Sequence, residues 1–256
     1  MAWGALKNLW ASYQDSEPSI YIALGSVWLR DLVGFLAMRR PALAPQPPEL
    51  PVQLDRRELS ALSHDIVYAE IELANTELAD QHANGVTLTA DKLTTIDLSG
   101  SQLEQLRVTD SELKACNLAN ARAPRTTARR ISIDSCRLTG IQLTEATLCD
   151  VTIRDSRVDL ASFGFSRLTR VTFEDCALAQ SDFLEAQLES VRFHRCDLTK
   201  ADFRGARLRQ CEFRRSELTD LEGIQSLRGA AMEWPDIVAM VGTWAAALGI
   251  GVLDPE

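Results

Sequence analysis

From Leu73 to Leu218 every fifth residue is apolar: 17 Leu, 6 Phe, 2 Ile, 2 Val and 3 Ala, with no polar residue among them. A helix beats at 3.6 residues and a strand at 2, so neither alone gives a period of five. A second track runs two residues earlier and is small or β-branched: Cys116, Ala121, Thr126, Ile131, Cys136 and Ile141 begin it. The other three residues of each five are mostly Arg, Asp, Glu, Thr, Gln and Gly. Two inward residues spaced two apart make a short strand, and the polar remainder makes a bend. Repeated, this unit predicts a coil with Leu or Phe at the centre of each side and a small residue near each corner.

Longer spacings give the number of sides. Cys116, Cys136, Cys176 and Cys196 fall on one column of period 20, which Ser156 and Ser216 continue. Ile131, Val151, Val171 and Val191 form a second, Phe163, Phe183 and Phe203 a third, and Phe173, Phe193 and Phe213 a fourth. Like residues stacking at 20 require four sides of five. The expected fold is therefore an all-β solenoid, a quadrilateral parallel β-helix of about 7–8 coils in which each coil touches only its neighbours. Four regions are expected: a helical extension over 1–40, a Pro-rich linker over 41–54, the β-helix over 55–222 and a C-terminal helical cap over 223–256.

The units ALAQS-DFLEA-QLESV-RFHRC-DLTKA-DFRGA-RLRQC resemble the A-(D/N)-L-x-x tandem of the pentapeptide repeat proteins, over about residues 71–221. That resemblance implies a right-handed winding. It also implies a protein partner, because members of the family resemble duplex DNA in width and negative surface and occupy DNA gyrase or topoisomerase IV, protecting them from inhibitors. The Asp or Asn of the motif stands at Asn117, Asp182, Asp197 and Asp202 but is often replaced by Arg, Thr or Glu. The closing string LRGAAMEWPDIVAMVGTWAAALGIGV resembles the segment that follows the repeats in many members. A helix is expected over about 231–248, with Trp234, Ile237, Val238, Val241, Ala245 and Leu248 on one stripe and Trp244 close by. It serves either as a cap or, as the resemblance implies, as a homodimer surface.

Residues 41–51, PALAPQPPELP, carry five prolines and read as an extended spacer. The run before it, IYIALGSVWLRDLVGFLAM, includes Trp28 and is apolar on most sides, but Arg30 and Asp31 lie inside it and oppose membrane insertion. A helix docked on protein is the preferred expectation there, and an interfacial membrane helix the lesser one. Residues 122–130, RAPRTTARR, shrink the central track to Ala123 and Ala128 and gather Arg122, Arg125, Arg129 and Arg130. They read as a bulged corner or as a projecting loop. Leu160, Phe165 and Leu184 fall on outward tracks and make a candidate partner patch, unless a local distortion turns them inward.

Composition adds limits. The formal net charge is −9, which argues against the chain as a whole seeking nucleic acid. Residues 55–120 hold 5 Lys/Arg against 12 Asp/Glu, whereas 161–221 hold 10 of each. Six cysteines without C-x-x-C pairing and no basic-then-apolar leader favour a cytoplasmic protein with free thiols. His64, His82 and His194 stand in no metal or nucleophile spacing. No catalytic residue, metal or cofactor is expected. The two functional readings are a non-enzymatic protein-binding rod, a DNA mimic acting on gyrase in its sharpest form, and an interaction scaffold docking through its N-terminal helices.

Overall fold

A computed structural model describes residues 41–247 and 249–251. The readings placed on residues 1–40, Trp28 included, lie outside the described residues, as does that on Leu248.

Fourteen short strands form one parallel ladder-stacked sheet that winds around a square. They are β1 Asp55–Arg56, β2 Val67–Ala69, β3 Ile71–Glu77, β4 Thr87–Thr89, β5 Lys92–Asp97, β6 Arg107–Lys114, β7 Thr127–Asp134, β8 Thr147–Arg154, β9 Arg167–Glu174, β10 Gln187–Glu189, β11 Arg192–His194, β12 Arg207–Arg209, β13 Glu212–Arg214 and β14 Ala231–Met232. The register between neighbouring coils is 20 residues, as in Val108↔Ala128 and Leu148↔Leu168. We number the sides by their central residues: first around Leu168, second around Phe173, third around Leu178, fourth around Phe183. The third and fourth sides pair through single bridges, such as Asp197↔Glu217 and Asp182↔Asp202.

The corners have one backbone cause. Every fifth residue from Asp65 to Asp220 has positive φ, between 47° and 59° where it is not glycine. Only Gly85, Gly100, Gly140 and Gly205 take this left-handed turn without a Cβ penalty. The other corners cost about 1 kcal/mol each, which the ladder and core offset.

Ten rungs stack on the second side, from β1 through β14, making about nine turns. This exceeds the expected 7–8 because both end coils depart from the beat. The first coil is short, with Asp55 pairing Ile71, and the last brings Ala231 onto Glu212 after the repeat has ended.

Phe163, Phe173, Phe183, Phe193, Phe203 and Phe213 are fully buried. They form two columns: rings within a column stack at 4.7–5.2 Å and meet the other column edge-on at 5.7–6.4 Å. Toward the N-terminal half the aromatic rings give way to Leu and Ile. There an apolar void of about 80 Å³ opens beside Ala123 and Ala128.

The inward small track is a second ladder. The amide of Cys116 donates to Cys136 Sγ at 3.3 Å, that of Cys136 to Ser156 Oγ at 3.0 Å, and that of Cys196 to Ser216 Oγ at 3.1 Å. These three γ atoms also donate to carbonyls, as Cys136 Sγ does to Asp134 O. Ser, Thr and Cys recur on this track because a buried N–H left without a partner is expensive. Burial pushes the Cys211 thiol up to about 11, so this cysteine is filler rather than reagent. All six cysteines are free.

Residues 41–54 are a strap rather than a free spacer. The amide of Ala42 donates to Glu212 Oε1 at 2.9 Å, that of Gln46 to Asp150 Oδ1 at 3.0 Å and that of Glu49 to Asp110 Oδ1 at 3.1 Å. Arg192 returns a bond to the Ala42 carbonyl. An extended proline-rich chain covers about 3.1 Å per residue, so 42 to 49 spans about 22 Å. The five coils between Glu212 and Asp110 rise about 24 Å, so the two lengths match. Pro41, Pro45, Pro47, Pro48 and Pro51 have no N–H to satisfy, and the three bonded amides lie four and three residues apart.

After the last coil come α1, Trp234–Ala239, and α2, Val241–Ala247, where one longer helix was expected. Met240 lies between them and is buried against the core. Asp236 accepts the Arg215 amide at 2.9 Å, fixing α1 to the corner at Arg215.

Candidate functional site

The central track and the small track are consumed by packing, so function falls to the outward residues and the corners. Among the described residues no three His, Cys, Asp or Glu side chains gather for a metal ion. Burial and the cations Arg214 and Arg192 hold His194 below its ordinary value, and its Nε2 is buried without a partner. His64 Nδ1 accepts the Asn84 amide at 3.1 Å, an ordinary structural role.

Arg122, Arg125, Arg129 and Arg130 do not form a loop. The coil continues through them: Arg122 is bridged to Gln102 and Gln142, and Ala123 and Ala128 are buried. Consecutive corners send the four side chains different ways. Arg122 lies on the fourth side, Arg125 on a corner paired with Glu104 at 2.8 Å, and Arg129 on the first side. Arg130 turns at the next corner and pairs with Asp110.

That corner carries the alternating column Asp110, Arg130, Asp150, Arg170 beneath the strap. Arg170 grips Asp150 with Nε and Nη2, both at 2.6 Å, and its Nη2 also meets Cys149 Sγ at 3.0 Å. The Arg170 guanidinium, against the opposing effect of burial, holds the Asp150 carboxyl at about 2. Burial and the neighbouring Asp150 push the Cys149 thiol up, which makes it a poor nucleophile.

Leu160 and Phe165 point outward, at 55% and 57% exposure. Both sit at left-handed corners with φ of 59°, at the two ends of one segment of the fourth side. Leu184 is half-buried on the next coil of that side, and its carbonyl accepts the Phe165 amide at 2.8 Å. Gly164 adds no side chain between them. A bulky apolar residue at a left-handed corner is unfavourable locally, and exposing it to water removes any return from burial. Neither Leu160 nor Phe165 therefore serves the coil that carries it. Asp159, Asp182, Glu145 and Glu185 surround the patch in sequence position and stacking.

A second apolar surface lies at the C-terminal end. Trp234, Val238 and Val241 are exposed, and Trp244 is 37% exposed. The stripe expected to serve as a cap or a homodimer surface thus faces out in large part, because the helix breaks at Met240 and it is Met240 that enters the core.

Charge is sorted by side. Outward residues of the first side include Arg107, Arg129, Arg167, Arg207 and Arg209 against Glu189 alone. The opposite third side presents Glu77, Asp97, Asp159, Asp197 and Glu217 against Arg137 and Arg157. The fourth side presents Glu104, Asp182, Asp202 and Glu222 against Arg122 and Arg204.

The family model described as "Pentapeptide repeat region" matches residues 106–183 and 160–222, within the regular coils. Residues 106–222 of this chain are a pentapeptide repeat region. Among solved structures this repeat protein is similar to HetL, described as involved in heterocyst differentiation regulation in the cyanobacterium Nostoc sp. strain PCC 7120. The two are 17% identical with a TM-score of 0.43, over 78% of this chain and 94% of that one. It is also similar to QnrB1, described as a plasmid-mediated fluoroquinolone resistance protein, at 18% identity and a TM-score of 0.35, over 78% and 99%. Rfr23 from the cyanobacterium Cyanothece 51142 follows at 14% identity and a TM-score of 0.25, over 43% and 65%. Comparison with the curated proteins finds no match.

Proposed function

We propose that this repeat protein is a non-enzymatic protein-binding rod whose contact surface is the acidic fourth side, anchored at Leu160, Phe165 and Leu184. One observation carries the reading: two bulky apolar residues are held outward at corners where each costs the fold stability. An apolar centre with a charged rim is the usual anatomy of a protein contact. The sharper form of the reading makes DNA gyrase or topoisomerase IV the partner, with the acidic third and fourth sides standing in for duplex DNA. Arg137, Arg157 and Arg122 interrupt those acidic columns in mid-rod, so a mimic of this kind would act through the two ends of the faces.

The test adds the purified protein to a gyrase supercoiling and quinolone-cleavage assay beside L160N/F165N, since asparagine suits a left-handed corner. Altered supercoiling or cleavage that the double variant loses by about tenfold or more supports both levels. No effect of either protein removes gyrase as the partner.

A second copy of the chain is the further partner that the exposed Trp234, Val238 and Val241 favour. Sedimentation equilibrium is expected to give a dimer that W234S/V241S converts to monomer. A wild-type monomer at all concentrations would remove this reading.

A further inference from the structure

We propose that the first side of the square binds the phosphate backbone of duplex nucleic acid without regard to sequence. Two straight columns make this face. One runs Thr87, Arg107, Thr127, Thr147, Arg167, Gln187, Arg207, and the other Thr89, Thr109, Arg129, Cys149, Thr169, Glu189, Arg209. All five arginines are exposed. Among the described residues, Arg107, Arg129, Arg167 and Arg207 are in no salt bridge, and Arg209 reaches Glu189 only at 3.9 Å. Most other arginines of the coils are paired, as Arg195 is with Asp175 and Arg204 with Asp202. Four arginines outside any salt bridge thus share one flat face, with threonine hydroxyls between them.

Net charge does not oppose this. The acidic third side lies across a core about 10 Å thick with side chains on both faces, so its charges are about 20 Å away. That is more than two Debye lengths, about 8 Å each, at physiological salt. Glu145 and Glu185 stand on the corner shared with the fourth side and bound the face there. Asp110 and Asp150, on the other corner, are already held by Arg130 and Arg170.

The rest of the face selects the partner. Apart from Val67 at its N-terminal end and Phe165 on the corner shared with the fourth side, it offers no exposed large apolar side chain. A protein interface needs an apolar anchor, whereas a nucleic-acid interface is polar and positive. Single strands are gripped by aromatic stacking, and no aromatic residue stands in either column. Five cations spread over about five coils, or 24 Å, can each meet a phosphate of a duplex, which carries about one charge per 1.7 Å of axis.

The test is fluorescence anisotropy of a labelled duplex DNA with the full chain, between about 50 and 200 mM salt. Wild-type protein is expected to bind with a salt slope near −4.5, about 0.9 for each of five arginines. R107T/R167T/R207T places in one column the threonine that column already accepts at Thr127 and Thr147, so the coil is kept; thermal melting checks this. The variant is expected to bind about tenfold more weakly or worse at 50 mM salt, with the slope falling by about 2.7. R137T/R157T on the opposite side is expected to leave affinity within about twofold. The proposal is overturned by absence of duplex binding at 50 mM salt, by equal affinity of wild type and the triple variant, or by stronger binding of polyglutamate than of the duplex. The last result would assign the face to an acidic protein. None of these outcomes bears on the apolar patch of the fourth side.

Discussion

Phe183→Ala is expected to destabilise the rod by about 3–5 kcal/mol, among the largest effects of any single truncation. Phe183 is fully buried and sits at the middle of the aromatic core. It stacks on Phe163 at 5.0 Å and Phe203 at 4.7 Å, and meets Phe173 and Phe193 edge-on at 6.4 and 5.7 Å. Four ring contacts are lost together, each worth about 0.5–1.5 kcal/mol beyond area burial. The ladder above and below fixes the spacing of the coils at about 4.8 Å, so the cavity cannot close by collapse. Urea unfolding followed by circular dichroism checks the value. A loss under about 1.5 kcal/mol would mean that the coils do move together and that the register is softer than the stacked rings imply.

Asp150→Asn should cost about 2 kcal/mol near neutral pH and erase an acid transition. The Asp150 side chain is 1% exposed and holds both Arg170 and the Gln46 amide of the strap. Asparagine can still accept the amide but leaves Arg170 without its charge. In the wild type the folded carboxyl sits at about 2, below its unfolded value near 3.9. A depressed carboxyl stabilises above its unfolded value, and that stabilisation is lost as pH falls through the folded one. Wild-type stability should therefore decline between about pH 4 and pH 2, with Asp110, also held low by its arginine, adding in the same direction. The variant should show a shallower decline over that window. Equal slopes for the two proteins in stability measured against pH would sink the assignment.

Much of the fold was legible because a solenoid repeats its instructions. The Phe and Cys columns fixed the 20-residue coil, and the two ring columns stack as that spacing requires. Three features were not legible, each for a physical reason. The strap has no hydrophobic period and no internal hydrogen bonds, and its partners lie 61 to 170 residues away. The one available clue was the alternation Asp110, Arg130, Asp150, Arg170 at a spacing of 20. The C-terminal stripe was left as a cap or a homodimer surface because amphipathic spacing shows that a helix has an apolar face without showing what meets it. The arginines of 122–130 looked clustered because sequence proximity hides the corner at every fifth residue. Leu160 and Phe165 were legible as outward residues, but their left-handed backbone, which makes them costly, was not.

A coil that touches only its neighbours can fray from either end, and each end does so without informing the other. The strap changes that arithmetic. Its docking site is spread over Glu212, Asp150 and Asp110, so it exists only when the coils carrying all three are wound. Unwinding at the last coil then frees Ala42 and loosens the segment that leads into the first strand. In the language of one-dimensional lattices, an open row of nearest-neighbour spins has acquired a bond between its ends. The strap turns a row into a ring, and the two ends of the molecule lose their independence.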